Sequence, residues 1–473
     1  MTNAKLREDA DYIINYAINA VLPGEAVAEA LKKLPVLSQI HVVAVGKAAY
    51  KMAETAWEFY GDKIVQGLVV TKYGHAGNPK LPGAFQIIEA GHPVPDMNSV
   101  AGAMAALNIA GPLGRDDFLL LLLSGGGSAL FEMPADGLVL EDIEDATRKL
   151  LACGADITEI NAVRKRLSRV KGGRFAQAVY PARVCSVILS DVLTDDPATI
   201  ASGPACPDPV DNAFVNGVLK KYNLSFDEKT MKHLATETPK ALVNAEVIVC
   251  GGVRHFARHA ADAAIRLGYV PHILTSSLNC EAREAGRFLG AVGREAAYNA
   301  VFNDGAKNDG SSMPLDGSKN DGLYLSTVGV ENGVPAAPPG SVLENVTAGG
   351  AYRAVRPVPP CAVIAGGETV VTLKGGGKGG RSQELALAAA EEIAGLTNVA
   401  VFSVGSDGTD GPTDAAGGIV FGDTKRVLME QGVNIPATLN NNDSYRALKQ
   451  CGGLIITGPT GTNVNDVSVV LVR

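Results

Sequence analysis

The chain has 473 residues, too many for one ordinary hydrophobic core, and this length predicts two or three domains. Hydrophobic residues make up 46%, enough to fill those cores, while a net charge of −8 and the lack of any long basic run exclude nucleic acid and anionic membrane as natural partners. An acidic chain that binds an anion must gather positive charge locally, so the informative places are single Lys and Arg residues inside glycine-rich turns.

Residues 5–33 form two amphipathic helical stretches broken at Pro23. Strand-like and helix-like segments then alternate. Val42-Val-Ala-Val45 runs into Gly46-Lys47 and a helix from Ala48 to about Tyr60. Leu68-Val-Val70 and Gln86-Ile-Ile88 read as short strands, followed by a small-residue helix from Ser99 to Ile109. Phe118 to Leu123 is an unbroken apolar run. Its six residues cannot span a bilayer, which needs about 20 in a helix, and it reads as a strand buried on both faces. Helices are expected over 140–151 and 156–168, then a strand from Val184 to Leu189. The alternation predicts an α/β protein whose N-terminal domain, residues 1–240, is Rossmann-like: a mostly parallel sheet with helices on both faces.

The pattern weakens over 225–245 and a new series starts at Val247, which places the second domain at 241–473, α/β with a mixed sheet. Within it, Asp304-Gly-Ala-Lys-Asn-Asp-Gly310 recurs as Asp316-Gly-Ser-Lys-Asn-Asp-Gly322. This repeat of turn formers predicts a flexible insertion at about 302–350, and it lacks the spacing of a calcium loop. Cys361 to Ala365 is strand-like, and a strong helix is expected from Ser382 to Ala394. The seven cysteines form no CxxC pair and their odd number fits no disulfide framework, so they read as buried thiols in a reducing cytoplasm. The N-terminus carries no signal-peptide core, in keeping with a cytoplasmic location.

Three segments can hold an anion. In Ser124-Gly125-Gly126-Gly127-Ser128, glycines let backbone N–H groups turn toward a ligand at a helix start; a simple tight turn is the alternative. Gly46-Lys47 ends the first strand, where ligands of open α/β sheets bind, unless the lysine is merely exposed. Lys374-Gly-Gly-Gly-Lys378-Gly379-Gly380-Arg381 sets three cations among five glycines, and Arg381 opens a helix where its planar fork can take phosphate or carboxylate; a flexible linker is the plain alternative. Asn161, Arg164 and Lys165 share a helix face that is either solvated or turned to substrate. Asp191, Asp407, Asp410 and Asp414 follow strands, as magnesium-holding groups or as turn and cap residues. Neither glycine-rich loop is a Walker loop or a dinucleotide fingerprint, and the histidines lack zinc spacing.

Taken together, Val45-Gly-Lys-Ala-Ala49, Gly91-His-Pro-Val-Pro95, Ser124-Gly-Gly-Gly-Ser-Ala-Leu130, Leu189-Ser-Asp-Val192, Ala201-Ser-Gly-Pro204, Gly366-Gly-Glu-Thr369, Gly379-Gly-Arg-Ser-Gln-Glu-Leu385, Ser406 to Asp414 and Gly461-Thr-Asn-Val-Asn-Asp466 resemble the class II glycerate kinases with a MOFRL C-terminal domain. The resemblance spans nearly the whole chain. It implies transfer of phosphate from ATP to D-glycerate with Mg²⁺, giving 2-phosphoglycerate in an interdomain cleft. It also implies catalytic roles for Lys47, Arg381 and Asp191; Asp191 is then the first candidate to hold the metal, and Asp407, in the acidic loop after its strand, a second. Glycerate and nucleotide are then the partners, and a homodimer is open. The competing reading, NAD(P)H-dependent hydroxypyruvate reductase, needs a dinucleotide turn that neither loop provides.

Overall fold

The structure, a computed structural model, describes residues 3–35, 39–77, 81–308 and 359–473. The first sheet contains β1 (Ile40–Val45), β2 (Ile64–Lys72), β3 (Phe85–Ala90), β4 (Phe118–Leu123), β5 (Arg183–Leu189) and β6 (Ala245–Gly251). All pair in parallel in the order β3-β2-β1-β4-β5-β6. The leucine run is β4, at the centre, and its alternation explains why every residue is apolar. Leu120 and Leu122 face the helices Asn3–Ala20, Pro23–Leu31 and Ala49–Tyr60, whereas Leu119, Leu121 and Leu123 face the helices Met97–Ala110 and Arg174–Val179.

The second sheet contains β7 (Val270–Leu278), β8 (Cys361–Gly367), β9 (Val399–Gly405), β10 (Gly417–Phe421), β11 (Leu454–Ile455) and β12 (Asp466–Val472), ordered β11-β10-β9-β12-β8-β7. Only β7 and β8 pair in parallel, so the sheet is mixed, as its sequence suggested. The helices Ala282–Asn308 and Arg381–Glu392 cover one face, and Val253–Arg266 packs on the other. Among the described residues no helix is long and apolar enough to cross a membrane.

Three expectations change. The first sheet extends to Gly251 because Val247-Ile-Val249 pairs with β5, so sheet membership switches there and not at 240. The N-terminal helix Asn3–Ala20 crosses to the second sheet. Tyr269 donates to Asp9 at 2.7 Å, Arg473 pairs with Asp9 at 3.1 Å, and one apolar core joins this helix to strands of both sheets. Finally, the helix that begins at Ala282 continues through Asn308, past the expected start of the insertion at 302. A nucleated helix extends at little cost into the first copy of the turn-rich repeat. The rest of the 302–350 segment lies outside the described residues.

Two buried charges hold the site's supports. Lys171, fully buried, donates to Glu132 at 2.8 Å and to the Phe131 carbonyl at 2.9 Å, just beyond the glycine turn after β4. Burial pulls the Lys171 ammonium down to about 8, with Glu132 opposing. In the second domain, buried Asp410 accepts from the N–H groups of Ser382 at 3.2 Å and Gln383 at 2.8 Å, capping the helix that opens with Arg381. Burial pushes its carboxyl up to about 7 against those two donors.

Glu132→Ala strands the Lys171 charge and should cost about 3–5 kcal/mol in urea unfolding; a change under about 1 kcal/mol contradicts the pairing. For Asp410, the folded chain holds a proton between the ordinary carboxylate range and about pH 7 that the unfolded chain has released, so its contribution to stability is lost as pH rises through that window. Asp410→Asn should therefore show a smaller fall in urea midpoint from pH 4.5 to pH 7.5 than the wild type; equal falls would contradict the raised carboxyl.

Candidate active site

The strand order of the first sheet reverses between β1 and β4, and ligands of such sheets bind outside the carboxyl ends at that point. The turns after these two strands interlock there. Gly46 sits at φ 128° with Ser124 packed where a side chain would be, so no other residue fits. The Ala48 N–H donates to Ser124 Oγ at 3.1 Å and the Lys47 N–H to the Gly125 carbonyl at 2.9 Å. Lys47 is left exposed, its Cε 3.4 Å from where a Cβ on Gly126 would lie. Gly126, at φ 87°, begins the one-turn helix Gly127–Leu130. Among the described residues the N–H groups of Gly125 and Gly126 have no partner.

Asp191 follows β5 and its carboxylate lies against Gly125. Burial pushes its pKa up, opposed by a hydrogen bond from its own N–H and by the nearby Lys47 charge. Asn465 donates to the Asp191 carbonyl at 3.4 Å, which brings the second sheet to the first. There the register sets Asp466 of β12 opposite both Gly367 and Gly405, the last residues of β8 and β9. Glu368 and Asp407 therefore gather beside Asp466. Between the domains lies a cavity of about 920 Å³, lined by Leu193 on one side and by Glu368, Gly379, Gly380, Arg381 and Asp407 on the other.

Arg381 is not the free fork its position suggested. It donates to both oxygens of Asp466, at 2.6 and 3.0 Å, and to Glu368 at 2.8 Å. Burial works against its charge, but these carboxylates more than offset that and keep it protonated. The neighbouring glycine-rich loop is also largely satisfied from within. The N–H groups of Lys374 and Gly375 go to Asn442, that of Gly376 to the Asn441 side chain, that of Gly377 to the Asn441 carbonyl, and that of Lys378 to Asp443. The Lys378 ammonium lies 4.6 Å over the Tyr445 ring. Gly379 and Gly380 keep unpartnered N–H groups among the described residues and face the cavity.

Other expected residues serve the scaffold. Arg164 donates to the Ser128 carbonyl at 3.0 Å and supports the turn, while Lys165 is buried against Asp208 at 3.1 Å. Asn161 is buried on the same helix and does not line the cavity. Ser128 meets Ser202 at 3.1 Å. In the Asp407–Asp414 loop the turn-and-cap alternative is realised. Asp407 accepts from the Thr409 N–H, Asp410 caps its helix, and Asp414 accepts from the Tyr445 hydroxyl. Among the described residues no group of three or more His, Cys, Asp or Glu is assembled as a metal centre. Residue reasoning missed the roles of Glu368, Asp466 and Asn465, since acidic partners for an arginine 85 residues away carry no local signal.

Comparison with known proteins gives the family. Residues 9–235 match the family described as "Domain of unknown function (DUF4147)" and residues 361–466 match the MOFRL family. A D-glycerate 2-kinase of Thermotoga maritima is 44% identical, covering 99% of this chain and 98% of its own. A glycerate kinase crystal structure from the same organism superposes with a TM-score of 0.83 at 44% identity, over 99% of this chain and 100% of that one. A protein of Agrobacterium vitis, 34% identical over 97% of this chain and 93% of its own, bears the provisional name hydroxypyruvate reductase. With nearly full-length identity of this order, the chain belongs to the glycerate kinase family.

Proposed function

We propose that this chain transfers the γ-phosphoryl group of ATP to the 2-hydroxyl of D-glycerate, releasing ADP and 2-phospho-D-glycerate. The observation that supports it most is the placement of Asp191, which lies against Gly125 and feels the charges of both Lys47 at the switch point and Glu368 beside Arg381, on whose side Gly379 and Gly380 line the cavity. Phosphoryl transfer asks chiefly for positioning and charge neutralisation, and this cleft supplies both from two domains.

In this reading glycerate lies at the switch point, its carboxylate on the N–H groups of the Ser124–Ser128 turn and on Lys47. The nucleotide phosphates lie along Gly379 and Gly380. Arg381 exchanges its more exposed partner, Glu368, for a phosphoryl oxygen, while Asp466 keeps the guanidinium oriented. The residues present fit a magnesium ion. Asp191 offers a half-buried carboxylate, with Asp407 as the second residue, and magnesium commonly takes only one or two carboxylates beside phosphate and water. Bound there, the ion would neutralise charge on the phosphate oxygens.

The reductase reading finds less support. The strand order suits dinucleotides, but the turn after β1 is Gly46-Lys47-Ala-Ala49 without the three-glycine fingerprint. The end of β2 carries Lys72 where an acidic residue would meet the ribose. Purified chain should release ADP from ATP when D-glycerate is added and should not oxidise NADH with hydroxypyruvate; the reverse pattern would overturn the assignment. Lys47→Ala and Arg381→Ala should each lower kcat/KM on the order of 10²–10³-fold, the scale of removing one charge-stabilising donor. Turnover within a few-fold of wild type in folded variants would remove that residue from the mechanism.

A further inference from the structure

His92 lies in the loop after β3, half-buried at the same switch point. A Cβ on Gly126 would sit 3.0 Å from His92 Cδ2, 3.2 Å from its Nε2 and 3.4 Å from Lys47 Cε. The imidazole and the lysine thus lie side by side against the turn that begins the one-turn helix. Neither ring nitrogen of His92 has a hydrogen-bond partner among the described residues, so nothing in the fold explains why a polar ring is aimed there.

The charged and titratable groups around it are Lys47 after β1, Lys72 ending β2, and His75, whose Nδ1 lies 3.3 Å from the Lys47 carbonyl. The nearby carboxylates are engaged elsewhere. Glu89 accepts from the N–H groups of Gly74, His75 and Ala76, and Asp96 from the Tyr73 hydroxyl and the Ser99 N–H. Burial first, then the charges of Lys47, Lys72 and His75, holds the His92 ring below the ordinary histidine value. At neutral pH it is therefore an uncharged imidazole with a free acceptor lone pair. Lys47, as an ammonium, has no such lone pair, and Asp191 lies against Gly125 instead.

Resting on the kinase reading above, we infer that His92 is a catalytic residue, the group whose ring nitrogen receives the proton of the acceptor hydroxyl. The glycerate oxygen forms its bond to the γ-phosphorus. The bond from that phosphorus to the bridging oxygen breaks, and its electron pair leaves on ADP. The hydroxyl proton passes to His92 and is lost to solvent as product departs. The transfer needs no further reactant.

The test compares the wild-type full chain with His92→Ala and His92→Gln, measuring kcat and KM for D-glycerate and ATP from about pH 5 to about pH 9. Wild-type kcat should fall on the acid side below about 6.5, the ordinary histidine value. Both variants should keep the wild-type thermal midpoint and the KM for ATP. They should lose kcat on the order of 10²–10⁴-fold and lose the acid limb, with partial rescue of His92→Ala by added imidazole. The near-isosteric Gln keeps the packing should the Ala variant unfold. An acid limb that persists in a folded variant, or a kcat within a few-fold of wild type, overturns the role of His92 while leaving the kinase reading intact. A wild type that makes no phosphoglycerate overturns that reading and this inference together.

Discussion

The close approach of the turns after β1 and β4 is the constraint on which the site depends. Because Gly46 has no side chain, Ser124 can close onto it, and the two turns then exchange hydrogen bonds through Lys47, Ala48 and Gly125. That approach puts a lysine, two N–H groups that have no partner among the described residues, and the Asp191 carboxylate at the one place where the sheet's connections diverge. A methyl at position 46 would have to displace Ser124, including its backbone, at a positive φ that L residues rarely adopt.

Charge across the cleft is arranged in pairs. On the first-sheet side, Lys47 faces Asp191 and His92 without being bound to either. On the second-sheet side, Arg381 is held by Asp466 and Glu368, so the cluster with Asp407 is net acidic. Such a cluster repels a bare polyphosphate and accepts one that brings its own cation, in keeping with a nucleotide that binds with magnesium. It also means that an arginine at a helix start cannot be taken as free cationic charge. The low-dielectric setting that makes it useful is the one that demands a carboxylate partner.

Much of this was legible in the chain. The leucine run could only be a strand covered on both faces, and the glycine-rich run that ends at Arg381 marked one wall of the cavity. What the sequence hid was long-range. β6 pairs across to β5, and the N-terminal helix serves the second sheet through Asp9, because neither pairing leaves a local periodic trace. The glycine-rich stretch from Lys374 read as a phosphate cradle, yet Asn441, Asn442 and Asp443, more than sixty residues on, take the N–H groups of residues 374–378, while those of Gly379 and Gly380 have no partner among the described residues. Glycerate itself rested on motif resemblance; the residue chemistry reached only an anionic ligand in a cleft between two domains.

The central claim is that one cavity joins a nucleotide to the 2-hydroxyl of glycerate. Phosphorus-coupled proton NMR of the product made from ATP, Mg²⁺ and D-glycerate tests it most directly. Phosphorus should couple to the proton on carbon 2. Coupling to the carbon 3 protons, or no phosphoglycerate at all, would contradict it.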